Sequence, residues 1–387
     1  MIADVLVVGA GPAGSAAAIH LARAGREVLL VDAATFPRPK ACAEYASPAI
    51  ADELTRLGIA RETWQRDSVP IEGMRVIRDE SAFDLRYEDR AGRRRPAWGV
   101  DRMRSDALLA TSAATAGAAL IEGRRVVTAQ RQGDHWRVTV RGGSTEETLA
   151  ARWLVGADGT RSRVARLMGV ERGVAFPRRL GLIAHYEGDH GLTTSGEMHV
   201  GPGSTYVGLA PMPGGRLNVG MALPLDGASS ARSRYEAAIA ALPRVATRLR
   251  NAQRVTPIRG AAPIGHRVAR AGGDGWLLIG DAAGFVDPFT GEGIYRALRS
   301  GRAAAAALAT DDPARTYLAE RRRAFAAKDA LTWLVQGMLA VPPILGYAAR
   351  RLDRRDRARL VLGGALGDCR PASDALAPGV LIGALWP

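Results

Sequence analysis

The sequence predicts a mixed α/β chain, α+β when taken whole: a parallel-stranded unit interrupted by an antiparallel sheet and followed by helices. Three observations predict it. A strand, a glycine-rich loop, a helix and a second strand succeed one another at the N-terminus, ending at Asp32. Two later apolar strands, beginning at Trp153 and Trp276, each run into a turn built of glycine and aspartate. Between and around them lie segments in which apolar and polar residues alternate, the period of a half-buried strand.

The N-terminal unit comes first. Ala3 to Val8 is apolar apart from Asp4 and reads as a buried strand. Gly9-Ala10-Gly11-Pro12-Ala13-Gly14 follows, then a helical pattern from Ser15 to Ala24 stopped by Gly25, then a second apolar strand, Glu27 to Val31, ended by Asp32. This β-α-β unit is Rossmann-like and carries a G-x-G-x-x-G. Gly9 permits the tight turn, Gly11 lets a pyrophosphate approach the backbone, and Gly14 lets helix and strand pack closely. Pro12 and Ala13 complete the loop. The helix N-terminus offers free N–H groups and a positive dipole end to phosphates. Asp32, 18 residues after Gly14, is placed to accept hydrogen bonds from an adenosine ribose. The fingerprint by itself fits FAD and NAD equally.

Two further motifs separate them. Trp153 to Ser162 is a strand entering an Asp158-Gly159 turn. Trp276 to Gly284 is a strand ending in Gly280-Asp281; it continues through Pro288, Gly291, Glu292, Gly293 and Ile294 into a helix reaching about Leu308. With these motifs in this order, the sequence resembles the flavoprotein hydroxylase superfamily over roughly residues 1–310. The resemblance implies non-covalently bound FAD. It implies that Asp281 binds the ribityl hydroxyls and that Asp158 and Gly159 support the turn near the pyrophosphate. It places the Pro288 segment at the cofactor, with the backbone from Gly291 to Ile294 along the pyrimidine edge of the flavin. That segment opens a helix, whose dipole can stabilise an anionic reduced flavin. Arg102, ahead of another long helical pattern, is implied to face FAD.

Within the superfamily the nearer resemblance is to the geranylgeranyl reductases. Lys40-Ala41-Cys42-Ala43-Glu44 resembles their Lys-x-Cys-Gly loop near the flavin, with Ala43 in place of glycine. Tyr206-Val207-Gly208-Leu209-Ala210-Pro211, with Asn218-Val219-Gly220, resembles their Tyr-x-Trp-x-Phe-Pro…Gly-x-Gly substrate motif. Cys42 and Tyr206 are therefore the candidate catalytic side chains, although the flavin carries the redox chemistry. Gly208 and Ala210 replace the motif's tryptophan and phenylalanine. The expected channel is wide, and the expected substrate is a bulky hydrophobic molecule, polycyclic or polyketide-like rather than a linear prenyl chain.

The motifs divide the chain into a discontinuous FAD-binding domain (1–70, 101–170 and 259–310), a substrate-binding sheet domain (71–100 and 171–258) and a C-terminal helical region (311–387). Strands of the sheet domain are expected at Met74–Ile77, Phe83–Tyr87, Leu180–Tyr186, Glu197–Val200, Thr205–Ala210 and Leu217–Ala222. From Ala330 to Ala349 no residue carries a formal charge, but Gly337, Pro342 and Pro343 interrupt the run. A basic helix, Arg350 to Arg359, follows. Packing as a helical lid is the simpler reading of this region, and peripheral contact with an anionic membrane surface is the second.

Composition narrows the function. A chain of 387 residues with 47% hydrophobic and 24% charged residues can bury a core, which excludes a disordered protein. A net charge of +14 points first to an anionic partner. Yet only Lys40 and Lys328 are lysines, and the remaining basic residues are arginines scattered along the chain. That is a bias in residue usage, and no nucleic-acid partner is expected. Cys42 and Cys369 form no C-x-x-C pair, and His185, His190 and His199 fit no ligand spacing, so no metal is expected. The first strand begins at Ile2 without a charged leader ahead of it, which predicts a cytoplasmic protein, monomeric or homodimeric.

Three functions remain open. The leading one is an NAD(P)H-driven monooxygenase that hydroxylates its hydrophobic substrate. The second is a reductase that delivers hydride to a C=C bond. The third is a non-catalytic FAD-binding protein. No second G-x-G-x-x-G follows a strand, so NAD(P)H is expected to bind only transiently, unless an electron carrier replaces it. No Trp-x-Trp-x-Ile-Pro segment is present, which argues against a halogenase.

Overall fold

The computed structural model describes residues 1–225 and 229–385; 226–228, in the expected substrate domain, and 386–387, in the expected helical region, lie outside the described residues. Ala3–Val8 pairs in parallel with Thr145–Gly156 on one side and Val28–Val31 on the other. Ala119–Ile121 extends the sheet beyond Val28–Val31, and Trp276–Leu278 extends it beyond Thr145–Gly156. Numbered along the chain, these five parallel strands lie in the order 3-2-1-4-5, the doubly wound arrangement. Such strands are covered on both faces, which is why Val28–Val31, and Ala3–Val8 apart from Asp4, read as apolar runs. The order reverses between the first and fourth strands. A crevice opens there at the strands' C-terminal ends, and Gly9 and Ala157 stand on its two sides.

Helices Pro12–Arg23 and Gly293–Ala307 pack tightly against each other beside this crevice. A Cβ on Gly301 would collide with the carbonyl oxygen of Ala13 and lie 2.9 Å from the Ala17 nitrogen. Helix Arg102–Thr115 packs against Pro12–Arg23 as well. Its N-cap, Asp101, accepts hydrogen bonds from the N–H groups of Met103 and Arg104.

The second sheet runs, edge to edge, Asn251–Arg254, Arg179–Asp189, Arg216–Pro224, Tyr206–Met212, Ser195–Val200, Gly73–Arg78 and Ser81–Arg86. Each of the six strands expected from alternation is present. Pairing is antiparallel except between Ser195–Val200 and Gly73–Arg78. One face, with Ala184, Val207, Leu209 and Val219, packs on helices Ala231–Ala240 and Pro243–Arg248. The opposite face turns toward the nucleotide unit. Its outer part, Val76, Val200, Tyr206 and Ala222, is covered by apolar residues of helices Pro313–Ala340 and Pro342–Asp353.

Three boundaries differ from expectation. Arg259–Ala261, expected to open the third nucleotide-binding segment, pairs with Arg179–Asp189 in the substrate sheet. Ser68–Ile71, spanning the expected boundary after residue 70, pairs with Ala97–Val100, which also pairs with Tyr45–Ala46. That small sheet ties the loop after Asp32 to the substrate unit. Both segments are short connectors whose backbone groups must find partners, and the nearest open edge decides where. Third, the basic stretch Arg350–Arg359 is not one helix: Pro342–Asp353 ends within it and Asp356–Leu366 begins.

Candidate active site

The glycine loop divides its labour as its spacing suggests. Gly9 has φ +103°, and a Cβ there would lie 2.5 Å from the Ala157 carbonyl oxygen. A Cβ on Gly14 would collide with the carbonyl oxygen of Gly9. Gly11 faces open space, with only Arg38 Nη2 within reach at 3.6 Å. Pro12 and Ala13 are buried in the first turn of the helix. Asp32 is buried, and its carboxylate accepts from the N–H of Ala10 at 2.7 Å and of Ala34 at 2.8 Å. It thus holds the glycine loop against the end of the second strand, while each oxygen retains a second lone pair for a ligand.

A cluster of cations overlooks this loop. Arg102 is buried and reaches Asp106 with two parallel hydrogen bonds of 2.8 and 2.9 Å. Arg38 lies 3.3 Å from Asp106 and 3.9 Å from Asp32. Lys40 Nζ stands 3.7 Å from where a Cβ on Gly159 would be. Burial, then the neighbouring Arg102, pushes the Lys40 ammonium below its ordinary range, while Asp281 pulls it upward. A site that already strains to hold its cations favours an incoming polyanion. Gly159, at φ +79°, borders the cluster. Asp158 does not face it: its carboxylate accepts from Ser162 Oγ at 2.6 Å and from the N–H groups of Arg163 and Val164. It supports the turn and helix Arg163–Leu167, not a ligand directly.

Asp281 has the opposite character. It follows Gly280, whose φ of +57° and close approach to Ala13 require glycine. Burial raises the Asp281 carboxyl, while Lys40, Arg102, Arg296 and His266 draw it back. Among the described residues no group donates a hydrogen bond to it. A half-buried carboxylate lacking protein donors fits a ligand that brings hydroxyls.

The segment after Asp281 is built to present backbone. Pro288–Thr290 is a single helical turn capped by Asp287, and Gly291 follows in the left-handed region at φ +68°. A Cβ on Gly291 would collide with the Tyr45 ring, whereas Gly293 meets nothing closer than Phe285 at 3.9 Å. Helix Gly293–Ala307 begins there, with Ile294 in its first turn and no side-chain cap on its N–H groups. Those amides are free to meet an anionic ring edge.

Tyr206 lies at this segment, but its hydroxyl is engaged. It donates to Asp287 Oδ1 at 2.6 Å, while Arg179 donates to the other carboxylate oxygen and to Gln336 Oε1. The Tyr206 ring meets Phe289 edge-on. Burial, and then the Asp287 charge, pushes the phenol well above its ordinary range. The structure therefore gives Tyr206 the task of anchoring the Asp287 turn.

Cys42 is half-buried and lies beside Arg102. Its Sγ accepts from the Glu44 N–H at 3.3 Å, and its carbonyl accepts from Asn218 Nδ2 at 3.0 Å. Asn218 also donates to Glu44 Oε2 at 2.8 Å, Glu44 Oε1 accepts from the Arg102 N–H at 3.0 Å, and His185 Nε2 shares a short hydrogen bond with Glu44. Glu44 adopts φ +55° to do this, a conformation costly for a residue with a Cβ. The Glu44–His185–Asn218 hub fastens the Cys42 loop to the substrate sheet. Next to it the sheet is smooth: Gly208 pairs with Gly220, and a Cβ on Gly220 would lie 3.2 Å from that of Ala43.

Sequence reading missed Arg38, Asp106, Asp287 and the hub. Asp106 carried a signal, since it stands four residues after Arg102 on one helix face. Glu44 and His185 carried none; they are 141 residues apart. Among the described residues no group of His, Cys, Asp and Glu side chains is arranged to hold a metal.

A doubly wound unit with a cationic cradle at its switch point, overlaid by a dedicated sheet, defines a dinucleotide-dependent enzyme. The comparisons name the dinucleotide. Residues 2–312 match the FAD binding domain family, and the chain belongs to it: the protein is an FAD-dependent oxidoreductase. It is 34% identical over 333 residues to menaquinone reductase of Mycobacterium tuberculosis, covering 81% of this chain and 78% of that protein. It is 30% identical over 333 residues to digeranylgeranylglycerophospholipid reductase 1 of Methanothermobacter thermautotrophicus, covering 83% and 81%. The crystal structure of a flavoprotein/dehydrogenase from Cytophaga hutchinsonii shares the fold, with a TM-score of 0.85 and 20% identity over 95% of this chain and 93% of that one.

Proposed function

We propose that the protein is a flavin-dependent reductase that adds two hydrogens across a C=C bond of a hydrophobic, isoprenoid-bearing lipid. The observation that carries this is the identity it shares with menaquinone reductase and digeranylgeranylglycerophospholipid reductase 1, 34% and 30% over 333 residues, or 81% and 83% of this chain. This reading sets the reductase ahead of the hydroxylase favoured by sequence alone, and a prenyl lipid ahead of a polycyclic substrate.

The residues suit it. FAD, when bound, supplies the hydride. The glycine loop, with Arg38, Lys40 and Arg102, holds the pyrophosphate; Asp281 holds the ribityl chain. The free amides at Gly291 to Ile294 accommodate negative charge at the ring edge. Gly208 and Gly220 pair on the sheet beside the Cys42 loop and add no side chain to its surface. Cys42 carries a protic side chain there, and the Glu44–His185–Asn218 hub fixes its position. NAD(P)H serves as a transient donor.

The test is an anaerobic half-reaction. Reduced holoenzyme is mixed with a geranylgeranyl lipid, and flavin absorbance is followed. Reoxidation faster than in a lipid-free control is expected. If only oxygen reoxidises the flavin, and the lipid does not, the reductase reading fails and the hydroxylase returns.

A further inference from the structure

The C-terminal helices have a second face. Helix Pro313–Ala340 meets helix Pro342–Asp353 at an elbow bent by 115°. The inner sides of both helices, with Val335, Leu339, Leu345 and Leu352, pack over the substrate sheet. The outer side of Pro313–Ala340 is polar in its first half, with Arg315, Arg322 and Arg323 exposed, but around the elbow it does not stay polar, as a lid exposed to water would. Trp333, Val341, Ile344 and Tyr347 are 42%, 44%, 47% and 37% exposed. Gly337 and Ala340 lie exposed between them. Among the described residues eleven large apolar side chains are exposed, and these four fall within fifteen positions of the chain. Ile382, also exposed, sits on helix Pro378–Leu385, which packs against the second arm of the elbow.

The charge beside this patch is one-sided. Arg350, Arg354, Arg355 and Arg357 follow directly and are exposed. None of the four forms an ion pair among the described residues. The two acids of the segment, Asp353 and Asp356, are both engaged by Arg359. An apolar stripe bordered by uncompensated arginines complements a surface that is apolar within and anionic at its rim. No single helix among the described residues is long and apolar enough to cross a membrane; the two arms of the elbow meet that length and composition only together, as a bent pair, and their inner sides are already taken up by the substrate sheet, so the match is to contact by the outer side.

We propose that the elbow is a docking surface for an anionic lipid bilayer: Trp333, Val341, Ile344 and Tyr347 enter the headgroup–acyl boundary while Arg350, Arg354, Arg355 and Arg357 meet lipid phosphates. The elbow is then the layer between the membrane and the substrate sheet. The proposal goes beyond the reductase reading and does not depend on it, because docking is measured without substrate.

The test is sedimentation of the holoenzyme with vesicles of phosphatidylcholine, with and without phosphatidylglycerol. Binding to the anionic vesicles, weakened by salt, is expected. Ile344→Asp and Trp333→Ser should each lower partition by about tenfold. Arg350→Glu and Arg354→Glu should each lower it by about fivefold or more and flatten the salt dependence. Val255→Ser, at an exposed apolar residue far along the chain, should change nothing. Flavin content and circular dichroism establish that each variant is folded. Brominated lipid should quench tryptophan fluorescence in the native protein and do so less in Trp333→Phe, an assay that reads insertion directly. Three results would overturn the proposal: no binding to anionic vesicles, binding unaffected by Ile344→Asp, or a dimer in solution that Ile344→Asp splits while vesicles go unbound. The last would make a second copy of this chain the occupant.

Discussion

Asp281 and Asp158 differ in what already engages their carboxylates. Burial raises the Asp281 carboxyl, and no described protein group donates to it. Its replacement should therefore leave the apoprotein as stable as before. With FAD bound, the lost charge-assisted hydrogen bonds should cost about 1.5–3 kcal/mol, or at least tenfold in affinity. Flavin retained after dialysis, beside the melting temperature of the apoprotein, checks both halves for Asp281→Ala. Equal retention in variant and native protein would mean that Asp281 does not hold the ribityl chain. Asp158 makes the contrast: both of its oxygens already accept from the turn and helix that follow, so Asp158→Ala should destabilise the apoprotein itself. The motif spacing revealed both aspartates. Which one faces a ligand depended on where the remaining hydrogen-bond donors lay, and spacing carries no record of that.

At the scale of elements, two contacts bear testing. Gly301 lets helix Gly293–Ala307 lie against the glycine-loop helix, and a Cβ there has no room because its neighbours are backbone. Gly301→Val should force the two helices apart, at a cost of roughly 1–3 kcal/mol, and weaken FAD binding by shifting both loops at once. Thermal melting with and without added FAD measures this; a native-like melting temperature and affinity would refute the packing described. The second contact joins the substrate sheet to helix Pro243–Arg248. Burial would raise the Glu197 carboxyl, but hydrogen bonds from His199 and Arg248 outweigh it and hold it at about 2, below the ordinary 4.5. The folded pKa is the lower one, so between these values the unfolded chain binds more protons and stability rises with pH. The contribution is complete above about pH 4.5 and is lost as pH falls toward about 2. The stability advantage of the native protein over Glu197→Gln should shrink over that interval in acid denaturation series. A constant difference would show that the charge is not what Glu197 contributes. The edge strand Ser81–Arg86 shows the period two that one-sided burial imposes; Tyr206–Met212 and Arg216–Pro224 are buried on both faces and were legible as short apolar runs. The partners of the short strands Arg259–Ala261 and Ser68–Ile71 were not, since two or three residues carry too little pattern to choose an edge.

For the whole molecule, the part of the site that lies within one stretch of chain was readable and the part assembled from distant segments was not. Gly9 to Gly14, Asp32 and Gly280 to Ile294 each occupy a local run whose backbone shape dictates its residues. Arg38 meets Asp106 only when distant segments of the nucleotide unit fold together, and the Glu44–His185–Asn218 hub forms only when that unit and the sheet are joined. Tyr206 was expected as a candidate catalytic side chain; its hydroxyl is committed to Asp287. The missing aromatics at Gly208 and Ala210 suggested a broad ring system, whereas two relatives are named menaquinone reductase and digeranylgeranylglycerophospholipid reductase 1. The Gly208–Gly220 pair is compatible with either shape, so that pair alone could not choose between them.

The central claim, reduction of a lipid double bond by bound FAD, is tested most directly by product mass. Purified holoenzyme is incubated with NADPH or NADH and a geranylgeranyl lipid, once under oxygen and once without it. The account requires a product heavier by two hydrogens in both atmospheres, formed in proportion to the nicotinamide consumed. A product heavier by one oxygen, seen only when oxygen is present, would contradict it.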